Sequence, residues 1–134
     1  MKIIIAGAYA IGTHLARLLS RSKEEITLID ESEEHLASIG SDCDLLTMIG
    51  KPTSLQTLRD AGVQDTDLFI AVTPVESTNI TSSILAKNLG AKRTVARVDN
   101  PEYMEPQAQE FFKELGISKL IYPEMLAAVD INNG

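Results

Sequence analysis

The stretch Lys2-Ile3-Ile4-Ile5-Ala6-Gly7-Ala8-Tyr9-Ala10-Ile11-Gly12 constrains this chain more than any other. A short apolar run that feeds a glycine turn and then a helix opens a strand–turn–helix unit. In the G-x-G-x-x-G form of that unit the first glycine makes the tight turn and the second lets a pyrophosphate approach the backbone. The third lets the helix pack closely on the strand. Gly7 and Gly12 hold the first and third places, and Tyr9 holds the second. The fold signal therefore survives, while the phosphate-contact signal is damaged at one of its three points.

The next two segments strengthen the motif. Thr13 to Ser22 carries Leu15, Ala16, Leu18 and Leu19 at helical spacing, with Arg17 and Arg21 on the other side. Ile26-Thr27-Leu28-Ile29 is a second short apolar strand, and it ends in Asp30. An acidic residue about twenty positions past the glycines is the one that hydrogen-bonds the adenosine ribose in this design. Asp30 is followed by Glu31 and Ser32, with no Arg or Lys beside it. A carboxylate there repels a 2′-phosphate, so the expected ligand is NAD or another adenosine nucleotide with a free ribose. The competing reading of Asp30 is a helix cap without a ligand.

Strand and helix alternate through the rest of the chain. Ser32 caps a helix with Glu33 and Glu34 in its first turn, and Gly40 ends it. Leu45 to Ile49 is a third strand. Gly50-Lys51-Pro52 turns the chain, and Thr53 with Gln56 has capping-box spacing for a helix ending at Ala61-Gly62. Leu68 to Val72 is continuous in apolar character, as a parallel strand covered on both faces should be. It ends at Thr73-Pro74. Thr78 to Leu89 reads as a helix with Ile80, Ile84, Leu85 and Leu89 on one face. Thr94 to Val98 is a fifth strand, and Arg97 in it lies near a strand's carboxyl end, where ligands bind in such sheets. Glu102 to Leu115 is the next helix, with Phe111, Phe112 and Leu115 as core contacts. Leu120-Ile121-Tyr122 is the sixth strand, and Pro123 opens a further helix from Glu124 to about Ile131. The class is α/β: a Rossmann-like, doubly wound, parallel six-stranded sheet with strand order 3-2-1-4-5-6.

Charge and composition narrow the function. A net charge of −7 argues against a nucleic-acid partner. No apolar run approaches a membrane span, so direct membrane insertion is not expected, and the opening strand is unlike a signal peptide. These features point to the cytoplasm. The single Cys43 forms no internal disulfide and has no flanking cation to activate it. His14 and His35 sit on predicted helices without a second metal ligand at useful spacing, so each reads as a solvated helical residue, and no metal is expected. Glu24-Glu25 and Glu31 to Glu34 read as solvated faces.

A longer ordered set of phrases is more specific than the glycine turn. It runs Ile49-Gly50-Lys51-Pro52-Thr53-Ser54, Leu58-Arg59-Asp60-Ala61-Gly62-Val63, Ala71-Val72-Thr73, Thr78-Asn79, Leu85-Ala86-Lys87-Asn88-Leu89-Gly90 and Ala96-Arg97-Val98-Asp99-Asn100-Pro101-Glu102-Tyr103. With these the chain resembles, over almost its whole length, the amino-terminal nucleotide-binding domain of Trk-type potassium uptake proteins, also called the RCK or KTN domain. The resemblance implies a cytosolic regulator that binds NAD or NADH, or else ATP or ADP. It also implies assembly as a homodimer or higher ring and attachment to a membrane potassium transporter or channel. On that likeness residues 1–122 form the nucleotide-binding domain and 123–134 begin a truncated linking helix. Gly7, Ala8, Tyr9, Ala10, Ile11 and Gly12 would hold the phosphates, Asp30 the adenosine ribose, Thr73 and Pro74 the distal ribose region, and Arg97 the phosphate or inter-subunit side.

Two residues depart from the family pattern. Tyr9 replaces a glycine and should crowd the pyrophosphate. Lys51 replaces an aspartate beside the expected adenine pocket, where it would attract an extra phosphate or stand in solvent. Arg97 has the alternative of pairing with Asp99 or Glu76, and Thr73 and Pro74 that of merely ending a strand. A dehydrogenase needs a positioned acid or base and a substrate domain, and neither is evident after six strands, so no enzyme is expected. The alternatives are the cofactor half of an NAD-dependent oxidoreductase, or an interaction module whose nucleotide site has decayed behind Tyr9.

Overall fold

The computed structural model describes residues 1–40 and 43–123. Its strands are β1 (Lys2–Ala6), β2 (Glu25–Asp30), β3 (Leu46–Ile49), β4 (Leu68–Ala71), β5 (Arg93–Arg97) and β6 (Lys119–Ile121). Between them lie α1 (Ala10–Ser20), α2 (Glu33–Ala37), α3 (Leu55–Asp60), α4 (Glu76–Leu89) and α5 (Pro106–Leu115). All the strand pairs are parallel, and the order is β3-β2-β1-β4-β5-β6, as the alternation of elements predicts. The helix expected from Glu124 lies outside the described residues.

The apolar run of β1 explains the two layers. Successive side chains of a strand point to opposite faces, and both faces here are apolar. Ile3 and Ile5 pack with Ala16 of α1 and Leu36 of α2 on one side. Ile4 and Ala6 pack with Leu58 of α3 and Ala86 of α4 on the other. Ala96, beside Ala71 in the sheet, extends that second face to Leu120 and to Phe112 of α5. The central strands β1 and β4 are covered on both sides, whereas β3 at the edge is largely exposed, so ligand-binding groups are presented at the sheet's edges and rims.

Several elements differ locally from expectation. Ser54, not Thr53, caps α3: its hydroxyl accepts from Thr57 N, while its own N–H donates to Lys51 O. Gln56 reaches forward to Asp60 instead of back to the cap. Helix α4 begins at Glu76, two residues before the expected Thr78. It turns Leu85 and Leu89 to one cluster, Ile80 and Ile84 to another, and small or polar Asn79, Ser82, Ser83 and Ala86 directly onto the sheet. The helix expected from Glu102 to Leu115 is two pieces. A 3₁₀ turn spans Pro101–Met104, Glu105 is extended, and α5 starts at Pro106. The residue before a proline is pushed out of the helical region, which accounts for the break.

That break also sets the phase of α5. Phe112 is half-buried, whereas Phe111 is 62% and Leu115 44% exposed. The two exposed residues lie four apart on the outer face, so only one of the three expected core contacts is made. Leu18 of α1 is likewise turned outward.

At the opposite rim, Lys2 N donates to Asp67 Oδ2 at 2.8 Å, and Lys92 Nζ lies 3.0 Å from Oδ1. The Lys2 N–H first, and then Lys92, hold this carboxyl below the usual range. A depressed carboxylate contributes stability above its unfolded-state value, about 3.9, and loses it as pH falls through the folded-state value. Asp67→Asn is therefore expected to melt lower than the wild type at pH 7. Thermal melts as a function of pH should show the gap narrowing below about pH 4.

Candidate nucleotide site

The carboxyl ends of β1, β2 and β4 bring three short segments together. Gly7 follows β1 with φ +113° and donates its N–H to Ile29 O. A Cβ there would stand 2.9 Å from Thr73 N, so the turn after β1 lies directly against the turn after β4. Gly12, in the first turn of α1, is closer still: a Cβ would lie 1.7 Å from Gly7 O. The two glycines thus do the packing work that their spacing predicts.

Between them, Ala8 is buried and Tyr9 is the residue from which α1 starts. Tyr9 has φ −101° and ψ −165°, an extended conformation that any residue adopts. Its position needs no glycine for backbone reasons, which is why the turn survives the substitution. Thr13 N is the first to close the helical ladder, onto Tyr9 O, so the N–H groups of Ala10, Ile11 and Gly12 have no intrahelical acceptor. The first turn has no acidic residue and no side-chain cap. Such a helix start favours an anion.

Asp30 ends β2 and is 4% exposed. Its Oδ1 accepts from Ala8 N at 3.0 Å. Its Oδ2 accepts from Ser32 N at 2.9 Å and faces His35 Nδ1 at 2.9 Å. The carboxylate is thus tied both to the glycine turn and to the start of α2. Ser32 caps α2 as expected, its Oγ accepting from His35 N. His35 is not simply solvated: besides facing Asp30, its ring meets the Tyr9 ring edge-on, with centroids 4.5 Å apart. His14, by contrast, is exposed.

Thr73 lies beyond β4, and Asn79 holds it there. Thr73 N and Oγ1 both donate to Asn79 Oδ1, while Asn79 Nδ2 donates to Thr73 O and to Arg97 O. Asn79 is fully buried. A single amide therefore joins the ends of β4 and β5 to α4. Tyr9, Asp30, Pro52, Thr73, Pro74 and Thr78 line a cleft of about 150 Å³. That is small beside the roughly 300 Å³ at which ligand pockets usually begin.

The predicted residues divide accordingly. Gly7, Ala8, Tyr9, Ala10, Gly12, Asp30, Thr73 and Pro74 gather at the rim around this cleft. Ile11 belongs to the same turn, but its side chain packs into the core beneath α1. Lys51 is exposed, and its neighbour Pro52 lines the cleft in its place. Arg97 is turned to Asp99, with Nε 3.6 Å from Oδ1. Glu76 instead accepts from Asp99 N and Asn100 N, bracing the loop after β5. Sequence reasoning read His35 as solvated and gave Asn79 no role of its own. The available signals were their offsets, five residues past Asp30 and six past Thr73. Among the described residues no group of three or more His, Cys, Asp or Glu is placed to hold a metal ion, and no helix is long and apolar enough to cross a membrane.

Comparison with known proteins gives a consistent family. The model of the TrkA-N domain matches residues 3–123. The Trk system potassium uptake protein TrkA of Haemophilus influenzae is 38% identical over 133 residues, which cover 98% of this chain and 29% of that protein. A TrkA homolog of Methanothermobacter thermautotrophicus is 34% identical over 128 residues, covering 96% of this chain and 57% of its own length. The chain therefore spans only part of each of these relatives. Among solved structures, the GsuK channel bound to NAD superposes with a TM-score of 0.75 at 27% identity, over 98% of this chain and 22% of that one. The same protein bound to ADP superposes with a TM-score of 0.74, also at 27% identity, over 98% of this chain and 33% of that one.

Proposed function

This chain belongs to the TrkA-N domain family, and from that premise we propose that it is a nucleotide-sensing regulatory domain of a potassium uptake system. It binds NAD or NADH, with ATP or ADP as the other candidates, and performs no chemistry on them. It acts from the cytoplasmic side, as a homodimer or higher ring, on a membrane potassium transporter or channel. One observation supports this reading above the others. The buried Asp30 carboxylate, anchored by Ala8 N and Ser32 N, stands across the Gly7 turn from the uncapped, acid-free start of α1. On this reading Asp30 is the ribose acceptor and the start of α1 the phosphate cradle, side by side at one rim. The likeness to GsuK, solved with NAD and with ADP, lends support at the level of ligand class.

Regulation follows from linkage. A nucleotide that prefers one arrangement of the assembled subunits shifts its population, and the attached pore responds. A nucleotide with equal affinity for both arrangements changes nothing.

Calorimetric titration of NADH, NAD, ATP and ADP into the wild type, Tyr9→Gly and Asp30→Asn tests the site. Micromolar binding by the wild type is expected, tighter in Tyr9→Gly, where the phosphate position is cleared. Asp30→Asn should weaken binding about ten- to a hundredfold, the scale of hydrogen bonds to a charged acceptor. NADPH should bind less well than NADH, because its 2′-phosphate meets Asp30. Absence of binding to both the wild type and Tyr9→Gly would favour an interaction module with a decayed site. Catalytic oxidation of NADH would favour the oxidoreductase reading.

A further inference from the structure

Resting on the reading of Asp30 as the ribose carboxylate, we propose that His35 is a built-in competitor for that carboxylate and, with Tyr9, forms a latch that an incoming ribose displaces. A carboxylate offers about four lone-pair positions. Three are occupied within the protein: Ala8 N on Oδ1, and Ser32 N and His35 Nδ1 on Oδ2. One position remains, on Oδ1, so a ribose diol that engages both oxygens finds Oδ2 full. Ser32 N cannot withdraw without unwinding the start of α2, which its own hydroxyl caps. His35 can withdraw, because its side chain is 39% exposed and rotates into solvent.

Tyr9 sets how readily it does so. Tyr9, 39% exposed as a residue, meets the His35 ring edge-on and also lines the cleft. Closing His35 onto Asp30 and leaning Tyr9 against it leave the cleft at about 150 Å³. Opening the latch frees one lone-pair position on Asp30 Oδ2 for the ribose. His35 is thus a specificity-determining residue. It taxes ligands that need both carboxylate oxygens and leaves ligands that need only the helix start untaxed.

The test measures affinity for ATP, for 2′,3′-dideoxy-ATP and for inorganic triphosphate in the wild type, His35→Leu and His35→Gln. Leucine removes the donor, and glutamine keeps one at similar reach. Removing the competitor should tighten ATP binding about tenfold in His35→Leu, the scale of one hydrogen bond to a charged group. Dideoxy-ATP and triphosphate should change by less than about twofold, and His35→Gln should stay close to the wild type for all three ligands. Equal tightening of dideoxy-ATP would overturn the latch, since the diol would then not be what displaces His35. Weaker ATP binding in His35→Leu, with melting unchanged, would also overturn it and make His35 a support for the carboxylate. In either case Asp30-dependent ATP binding by the wild type would leave the ribose reading standing. No ATP binding by the wild type or by either variant would overturn the latch, and the ribose reading with it if NADH also failed to bind.

Discussion

Gly12→Ala is expected to cost about 3 kcal/mol or more of folding stability and to lower the melting temperature by about 10 °C or more. The added Cβ would stand 1.7 Å from Gly7 O and 2.9 Å from Gly7 C, both backbone atoms of the turn that begins the site. No side chain can swing aside to relieve that contact. Either α1 moves off β1, unpacking Ala16 from Ile3 and Ile5, or the Gly7 turn opens and pulls away from Thr73. A domain of this size is held by a margin of roughly 5–15 kcal/mol. The loss therefore reaches both the fold and the rim that carries the candidate site, and calorimetric melting together with nucleotide titration would register it. Tyr9→Gly provides the contrast. Its backbone is already extended, so it should alter affinity while leaving melting within a few degrees, consistent with roughly 1 kcal/mol or less for a glycine outside the helix interior. Gly12→Ala melting like the wild type would refute the close approach of α1 to the turn.

Asn79→Leu should cost about 3–5 kcal/mol, although the replacement has the same branching and the same number of side-chain heavy atoms. It would leave Thr73 N, Thr73 O and Arg97 O without the partners that Asn79 now supplies, in a place where the amide is fully buried. Each stranded buried polar group costs roughly 1–3 kcal/mol. The variant should also loosen Thr73 against Gly7 and so weaken nucleotide binding beyond the effect on folding. Asn79→Asp separates the two functions of the amide. Its oxygens still accept from Thr73 N and Oγ1, but Thr73 O and Arg97 O lose their donor and a buried charge is added. It should therefore be no more stable than Asn79→Leu. Urea unfolding of both variants measures this, and a cost under about 1 kcal/mol for both would show that the tie between β4, β5 and α4 is dispensable.

Much of the molecule was legible in the chain because the signals are local. Continuous apolar strands, glycines just past helices and the Ser32 cap each report on a few neighbouring residues. Right-handed parallel crossovers then leave few ways to assemble the elements. Sequence and structure part where two local signals compete. Thr53 and Ser54 both suit a helix start, and the hydrogen bond from Ser54 N to Lys51 O settled it for Ser54. Phe111 and Phe112 are equally apolar, and the break at Glu105 turned only Phe112 inward.

At the rim the division is sharper. Periodicity and turn chemistry within a few residues were enough for the class, the strand order, the two packing glycines and the position of Asp30 at the end of β2. It took the folded chain to bring His35 and Tyr9 together over the Asp30 carboxylate, to tie Thr73 to Arg97 O through Asn79, to turn Arg97 to Asp99 and to leave Lys51 outside the cleft. Those outcomes depend on directional contacts between side chains and backbone brought together by separate strands. No pattern along a single element encodes them, because a hydrogen bond is set by where its partner lies in space.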